Sequence, residues 1–241
     1  MKIHKEMVQG SWDWHLARAG KVTASEIKNL ISDKGKIRTG EMPRSYLCRK
    51  LCEKWTGQPL ESFQGNRQCD QGKIWEETAR AYFAALLESD IEQIAGMESD
   101  DGRLWVSPDG VISESVGLEI KVPNGDHQIA WLLDGVLPEE HRLQVQFGLF
   151  VTGWKSWQFL SWSARLPHLA VTVTPDEELQ ETIAEAVDDF NVRFEIAWKT
   201  LCDLNGGPPA PRPKVVMSPG PIRFSWEQGA GYGDPNDVPT P

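Results

Sequence analysis

Apolar positions recur along the chain at two periods, and the switch between them marks out its organisation. Ser11 can cap a short helix bearing Trp12, Trp14, His15 and Arg18, closed by Gly20. Thr23-Ala24-Ser25-Glu26 has the form of a capping box opening a second helix through Ile27, Leu30 and Ile31. Spacings of three and four among Tyr46, Leu47, Leu51 and Trp55 predict a third helix over Pro43–Trp55, ended by Gly57. A fourth is predicted from Gln71 to Glu88, with Trp75, Ala79, Tyr82, Phe83 and Leu86 on one face. The texture then turns β-prone. Leu104–Ile112 and Val116–Val122 read as strands joined by a turn at Ser113-Glu114-Ser115, and Trp157–Trp162 and Leu169–Val173 as two more. Between them Glu139–Val151 reads as a helix. Thr174, Pro175 and Glu177 supply N-cap, N1 and N3 of a long amphipathic helix reaching Leu201. Helices flanking a small central mixed sheet give an α/β (or α+β) fold in one domain, residues 1–204. Residues 205–241 hold 9 of the 16 prolines and 6 of the 21 glycines, and form a tail without apolar periodicity.

Charge changes this picture. The chain carries 25 Lys+Arg against 35 Asp+Glu, net −10, which excludes a protein that coats nucleic acid through uniform positive charge. The distribution is uneven: residues 1–70 sum to +5 and residues 71–241 to −15. The helical first part can therefore meet an anion that the rest repels. The N-terminus lacks the apolar stretch of a signal peptide, and no run approaches the ~20 apolar residues of a membrane span. Four cysteines (Cys48, Cys52, Cys69, Cys202) in a chain this long are not a disulfide framework. A soluble, cytoplasmic protein with no membrane partner is expected.

The chemistry-bearing stretch is Ser107-Pro108-Asp109-Gly110 followed by Glu119-Ile120-Lys121. On a strand Glu119 and Lys121 share a face while Ile120 points to the core, and a hairpin returns Asp109 beside them. Two carboxylates at one end of a sheet offer hard oxygen ligands to Mg²⁺ or Mn²⁺. An adjacent ammonium can hold an attacking water or offset phosphoryl charge, a set suited to phosphodiester hydrolysis. A plain turn beside a solvated pair has the same spacing. Glu76 lies on the helix before the sheet, within reach of the same cluster. Gln144 and Gln146 diverge by about 200° on their helix, so one faces inward. Ser25, in the first turn of its helix, and Arg18 sit in the positive part of the chain.

Taken in order, six features resemble the phage lambda-type exonucleases, or YqaJ-like viral recombinases, of the PD-(D/E)XK nuclease superfamily. They are Ser11-x-x-Trp14-His15-x-x-Arg18-x-Gly20, Thr23-Ala24-Ser25-Glu26, Gly72-x-x-Trp75-Glu76-x-x-Ala79-Arg80, Ser107-Pro108-Asp109-Gly110, Gly117-Leu118-Glu119-Ile120-Lys121-x-Pro123 and Gln144-Val145-Gln146. The resemblance implies a restriction-endonuclease-like core, with a basic DNA-end-binding part in 1–70 and the catalytic core and last helix in 71–204. It implies a Mg²⁺-dependent (Mn²⁺ may substitute) processive 5′→3′ double-strand DNA exonuclease that leaves a 3′ overhang for strand-annealing recombination. Asp109, Glu119 and the Ile120 carbonyl would ligate the metal, with Glu76 near a second ion. Lys121 would activate water, and Gln146 would lie near the scissile phosphate. Arg18 and Ser25 would hold the 5′-phosphate, assisted by Ser107. The implied partners are linear duplex DNA, two further copies in a homotrimeric ring, and a single-strand annealing protein.

Two other readings compete: a monomeric RecB/Cas4-like or structure-specific nuclease with the same metal site, and a non-catalytic DNA-end-binding scaffold. The order of the cysteines is wrong for the iron–sulfur cluster of the former, so none is expected. Trp55, Trp75, Trp198, Trp105, Trp157 and Trp162 fall on apolar stripes or strands and read as core, whereas Trp12 and Trp14 are expected to approach DNA. Lys34, Lys36 and Arg38 read as a basic loop gripping the duplex backbone.

Overall fold

The computed structural model describes residues 1–60 and 67–210, with 67–73 as backbone alone. The tail beyond Ala210 and the Cys69 side chain lie outside the described residues. Among the described residues nine strands run in chain order as β1 (Lys2–His4), β2 (Val22–Thr23), β3 (Ile91–Glu92), β4 (Gly96–Glu98), β5 (Leu104–Val106), β6 (Gly110–Ile112), β7 (Val116–Lys121), β8 (Ser156–Ser161) and β9 (Leu169–Val173). The α-helices are α1 (Trp12–Arg18), α2 (Glu41–Thr56), α3 (Arg67–Leu87), α4 (Gly125–Asp134), α5 (Glu139–Thr152) and α6 (Glu177–Asn205). A four-stranded sheet has the order β1-β4-β5-β2, and a five-stranded sheet the order β3-β6-β7-β8-β9. In the larger sheet β7 and β8 pair in parallel while the other pairs are antiparallel, so it is mixed.

Its two faces bury separate clusters. Ile112, Leu118, Ile120, Leu160 and Trp162 pack against Ala79 and Phe83 of α3. On the other face Val111, Trp157, Phe159 and Val173 meet α5 and α6 through Leu143, Phe147, Ile183 and Phe190. Trp157 sets the spacing of that second face. A Cβ on Gly117 of β7 would lie 2.4 Å from its ring, and one on Gly148 of α5 2.8 Å. Glycine at both positions lets strand and helix close on the indole. Residues two further along β7 and one turn back along α5, Glu119 and Gln144, therefore face each other.

Several expected elements differ. The run Leu104–Ile112 is two strands in two sheets, because Ser107-Pro108-Asp109 crosses between them and Pro108 has no N–H for a ladder. The second helix is a six-residue 3₁₀ turn, Ala24–Asn29, and no capping box forms. The Thr23 hydroxyl instead donates to the Glu26 carboxylate, side chain to side chain, at 2.9 Å. The cap of α6 is Asp176 rather than Thr174, its Oδ1 accepting from Leu179 N at 3.1 Å. Trp75, expected in the core, is 38% exposed beside Trp162, and Cys48 and Cys52 are exposed on α2.

Candidate active site

Antiparallel pairing of β6 with β7 sets Gly110 opposite Leu118, which carries Asp109 back beside Glu119. Asp109 is locked twice. Its N–H donates to Leu118 O at 2.8 Å, and its Oδ2 accepts from Ile120 N at 2.6 Å. Glu119 Oε1 accepts from Lys121 Nζ at 2.5 Å and from Gln144 Nε2 at 2.7 Å. Burial, then the charge of Asp109, pushes the Glu119 carboxyl up to about 7 against the pull of Lys121. Burial likewise raises Asp109, although Lys121 and Arg80 oppose it. Lys121 is raised: burial works against its charge, and the Glu119 and Asp109 carboxylates outweigh that. Two crowded, buried carboxylates with a single ammonium form a donor set that fits a divalent cation.

Behind them, Arg80 donates from Nε to Asp109 O at 2.5 Å and from a terminal nitrogen to Glu76 at 2.9 Å. The Glu76 charge is felt at both Glu119 and Lys121. Among the described residues no three His, Cys, Asp or Glu side chains form a metal-holding group. The Asp109–Glu119 carboxylates offer the adjacent donor pair, and Glu76 also pairs with Arg80 at 2.9 Å.

The Arg18 guanidinium stacks 3.9 Å over the Trp14 ring and reaches Thr23 Oγ1 and Ser25 Oγ, each at 3.4 Å. The Trp14 indole N–H is used inside the protein, donating to Ala95 O at 2.9 Å and Ser107 Oγ at 3.0 Å. Ser107 also accepts from Trp105 Nε1 at 2.7 Å and donates to Ala95 O at 2.8 Å. Its donor and both lone pairs are thereby used, so Ser107 fastens two indoles at the wall of the cleft that Asp109 and Glu119 also line. Trp14 acts as the platform on which Arg18 lies.

One cleft of about 180 Å³ joins these groups, lined by Arg18, Ser25, Asp109, Glu119, Lys121 and Gln144 among others. Gln146 is not part of it. Its side chain is buried towards α6, donating to Thr174 O at 2.8 Å and accepting from Asp176 N at 3.0 Å and Gln180 Nε2 at 2.8 Å. The inward glutamine is Gln144, for the packing reason given by Gly148. The basic loop also lies apart from the cleft. Lys34 and Lys36 are exposed, while Arg38 is tied through Nε to Lys28 O at 2.8 Å and lines a separate cavity with residues of α2 and α6. Gln9, which the sequence pattern did not mark, lines the cleft and donates to Ile94 O and Pro108 O, both at 2.8 Å.

The YqaJ-like viral recombinase domain matches residues 13–155, more than half of the chain and all of this cleft except Gln9. The chain belongs to the YqaJ-like viral recombinase family. Membership supports a nuclease role in phage-type recombination, acting on DNA, and YqaJ-like nucleases generally use a divalent metal. Among solved structures, LHK-Exo in complex with dAMP is 24% identical, with a TM-score of 0.70 over 81% of this chain and 98% of that one. LHK-Exo alone, an alkaline exonuclease from Laribacter hongkongensis, gives 23%, 0.70 and the same coverages. A phage-related exonuclease from Haemophilus somnus 129PT is 15% identical, with a TM-score of 0.56 over 75% of this chain and 96% of that one. These likenesses establish the mixed α/β fold of PD-(D/E)XK type for the YqaJ-like chain. No curated protein sequence matches it significantly. Among its described residues no helix is long and apolar enough to cross a membrane.

Proposed function

We propose that this chain is a Mg²⁺-dependent 5′→3′ exonuclease that digests the 5′-phosphorylated strand of linear duplex DNA. It leaves a 3′ overhang for a single-strand annealing protein. The supporting observation is that one cleft is lined by Arg18 and Ser25 together with Asp109, Glu119, Lys121 and Gln144. Asp109 and Glu119, with the Ile120 carbonyl, would hold the cation. When bound, it supplies Lewis-acid polarisation of the phosphoryl oxygens. The rest is done by the chain's own groups. Lys121, partly exposed at the end of β7, holds and orients the attacking water and offsets charge growing on the phosphate. Gln144 fixes one oxygen of Glu119, so that the other keeps a constant direction. Arg18 and Ser25 hold the end phosphate and so set which bond lies against Lys121.

Residues 1–204 act as one nuclease domain, the first 70 residues gripping the DNA end, and three copies form a ring that keeps hold of the duplex between cuts. The experiment compares linear with covalently closed duplex, with chelator and after Mg²⁺ is restored, alongside light scattering of the free protein. The expected result is metal-dependent loss of linear DNA alone by a trimer. Nicking of closed circles would refute exonuclease action. A strict monomer would remove the ring and favour a structure-specific nuclease, and binding of ends without digestion would indicate a scaffold.

A further inference from the structure

Beside Arg18, sharing a small cavity with it, lies a buried charge network that the hydrolytic chemistry does not use. Lys50 of α2, with 4% of its side chain exposed, lies 2.9 Å from Glu26 Oε2 and 3.0 Å from Glu53 Oε2. Arg49 pairs with the other oxygen of Glu26 at 2.7 Å. Withdrawing charges from water is costly, and well-packed apolar residues of similar volume often stabilise as well or better. Stability alone therefore gives no reason for this arrangement. What it supplies is direction.

Glu53 Oε2 accepts from Gly20 N at 2.8 Å, where the chain turns out of α1 with φ +77°. Glu26 Oε2 accepts from Thr23 Oγ1 at 2.9 Å and from Tyr46 OH at 3.4 Å. Because the Thr23 proton points inward to Glu26, its oxygen is oriented as an acceptor toward Arg18, 3.4 Å away. One path thus runs from Lys50 through Glu26 and Thr23 to the Arg18 guanidinium. A second runs through Glu53 to the backbone two residues after Arg18. Burial alone would raise the Glu26 carboxyl, but Lys50 and Arg49 outweigh it and hold it below the usual range, keeping it an ionised acceptor. Two carboxylates against Lys50 and Arg49 sum to zero, so the network orients the phosphate-facing groups without adding charge to the cleft.

We propose that Lys50, clamped between Glu26 and Glu53, is a positioning residue that sets how Arg18 and Ser25 meet a terminal 5′-phosphate. This rests on the end-recognition reading given above. The test uses Lys50→Met and the isosteric Glu53→Gln, the second serving should the first fail to fold. Each is assayed for kcat/KM on linear duplex with 5′-phosphate and with 5′-hydroxyl ends. Their affinities for both ends are also measured by fluorescence anisotropy in a Lys121→Ala background. The phosphate-over-hydroxyl ratio falls roughly tenfold, chiefly through KM, while hydroxyl-ended DNA is digested within about twofold of the parent rate. A folded variant that keeps the parental ratio, or loses both substrates equally, overturns the assignment. If Lys121→Ala alone shows no preference for phosphorylated ends, the end-recognition reading itself fails, and this inference with it.

Discussion

Gln144 and Gln146 sit two residues apart on α5, and the structure predicts opposite consequences for replacing each with leucine. Gln146 is 3% exposed and makes three side-chain bonds, to Thr174 O, Asp176 N and Gln180. Leucine leaves at least one buried backbone group unsatisfied, at about 1–3 kcal/mol each. The whole change costs about 2–5 kcal/mol, which lowers Tm by roughly 5–15 °C in a domain of this size. Digestion well below that Tm stays within about twofold of the parent, because nothing in the cleft has moved. Gln144 is partly exposed, and its side-chain amide donates to Glu119. Gln144→Leu changes Tm little but reduces kcat/KM by roughly 10–100-fold, as loss of a ligand-orienting partner does. Differential scanning calorimetry and timed digestion of linear duplex measure both. A Gln146→Leu protein that melts like the parent yet digests as poorly as Gln144→Leu would refute the reasoning.

Other outcomes follow from the same geometry. Lys121→Ala is expected to abolish cleavage while leaving duplex affinity in a gel-shift assay close to that of the parent, since in the proposed mechanism Lys121 acts on water rather than on the end phosphate. Gly148→Ala and Gly117→Ala both push a Cβ into Trp157, and the closer approach at Gly117 makes it the worse. Urea midpoints should record a loss of about 1–3 kcal/mol for Gly148→Ala, less the gain of up to ~1 kcal/mol from helix propensity. His141 is stacked on Phe159, and its pKa is lowered to about 4 by burial and then by the Lys121 charge, despite exposed Glu140 3.4 Å away. Between about pH 6.5 and 4 the unfolded chain binds a proton there that the folded chain does not, so His141 makes stability fall as pH falls. His141→Phe removes that dependence, worth up to about 3 kcal/mol across the window, as read from urea melts of both proteins at each pH.

Much of this site is legible in the sequence. Asp109, Glu119 and Lys121 could be brought together because strand alternation and a hairpin are local rules, and the register of β6 on β7 obeys them. The inward glutamine was not decidable, since its orientation depends on Gly148 and Gly117 both yielding to Trp157, a contact spanning α5, β7 and β8. The partners of Ser107 and Trp14 inside the protein are not legible in the sequence for a related reason. A hydroxyl or indole in a motif looks equally suited to a ligand and to a neighbour, and only the fold reveals Ala95 O waiting for both. Thr23 and Glu26 carry the letters of a capping box, yet Lys50 and Arg49 draw the carboxylate away from the backbone. Short strands such as β1, β3 and β4 hold too few residues to show a period. Helix α4 went unread between the motif strand and α5.

The central claim is that one cleft both holds a 5′ end and cuts beside it. The direct test is Mg²⁺-dependent digestion of a linear duplex carrying a radiolabelled 5′-phosphate, with a parallel substrate labelled at the 3′ end. The 5′ label is expected first, as mononucleotide, while 3′ label stays in long single strands. Early release of the 3′ label, or 5′ label emerging in long fragments, would contradict it.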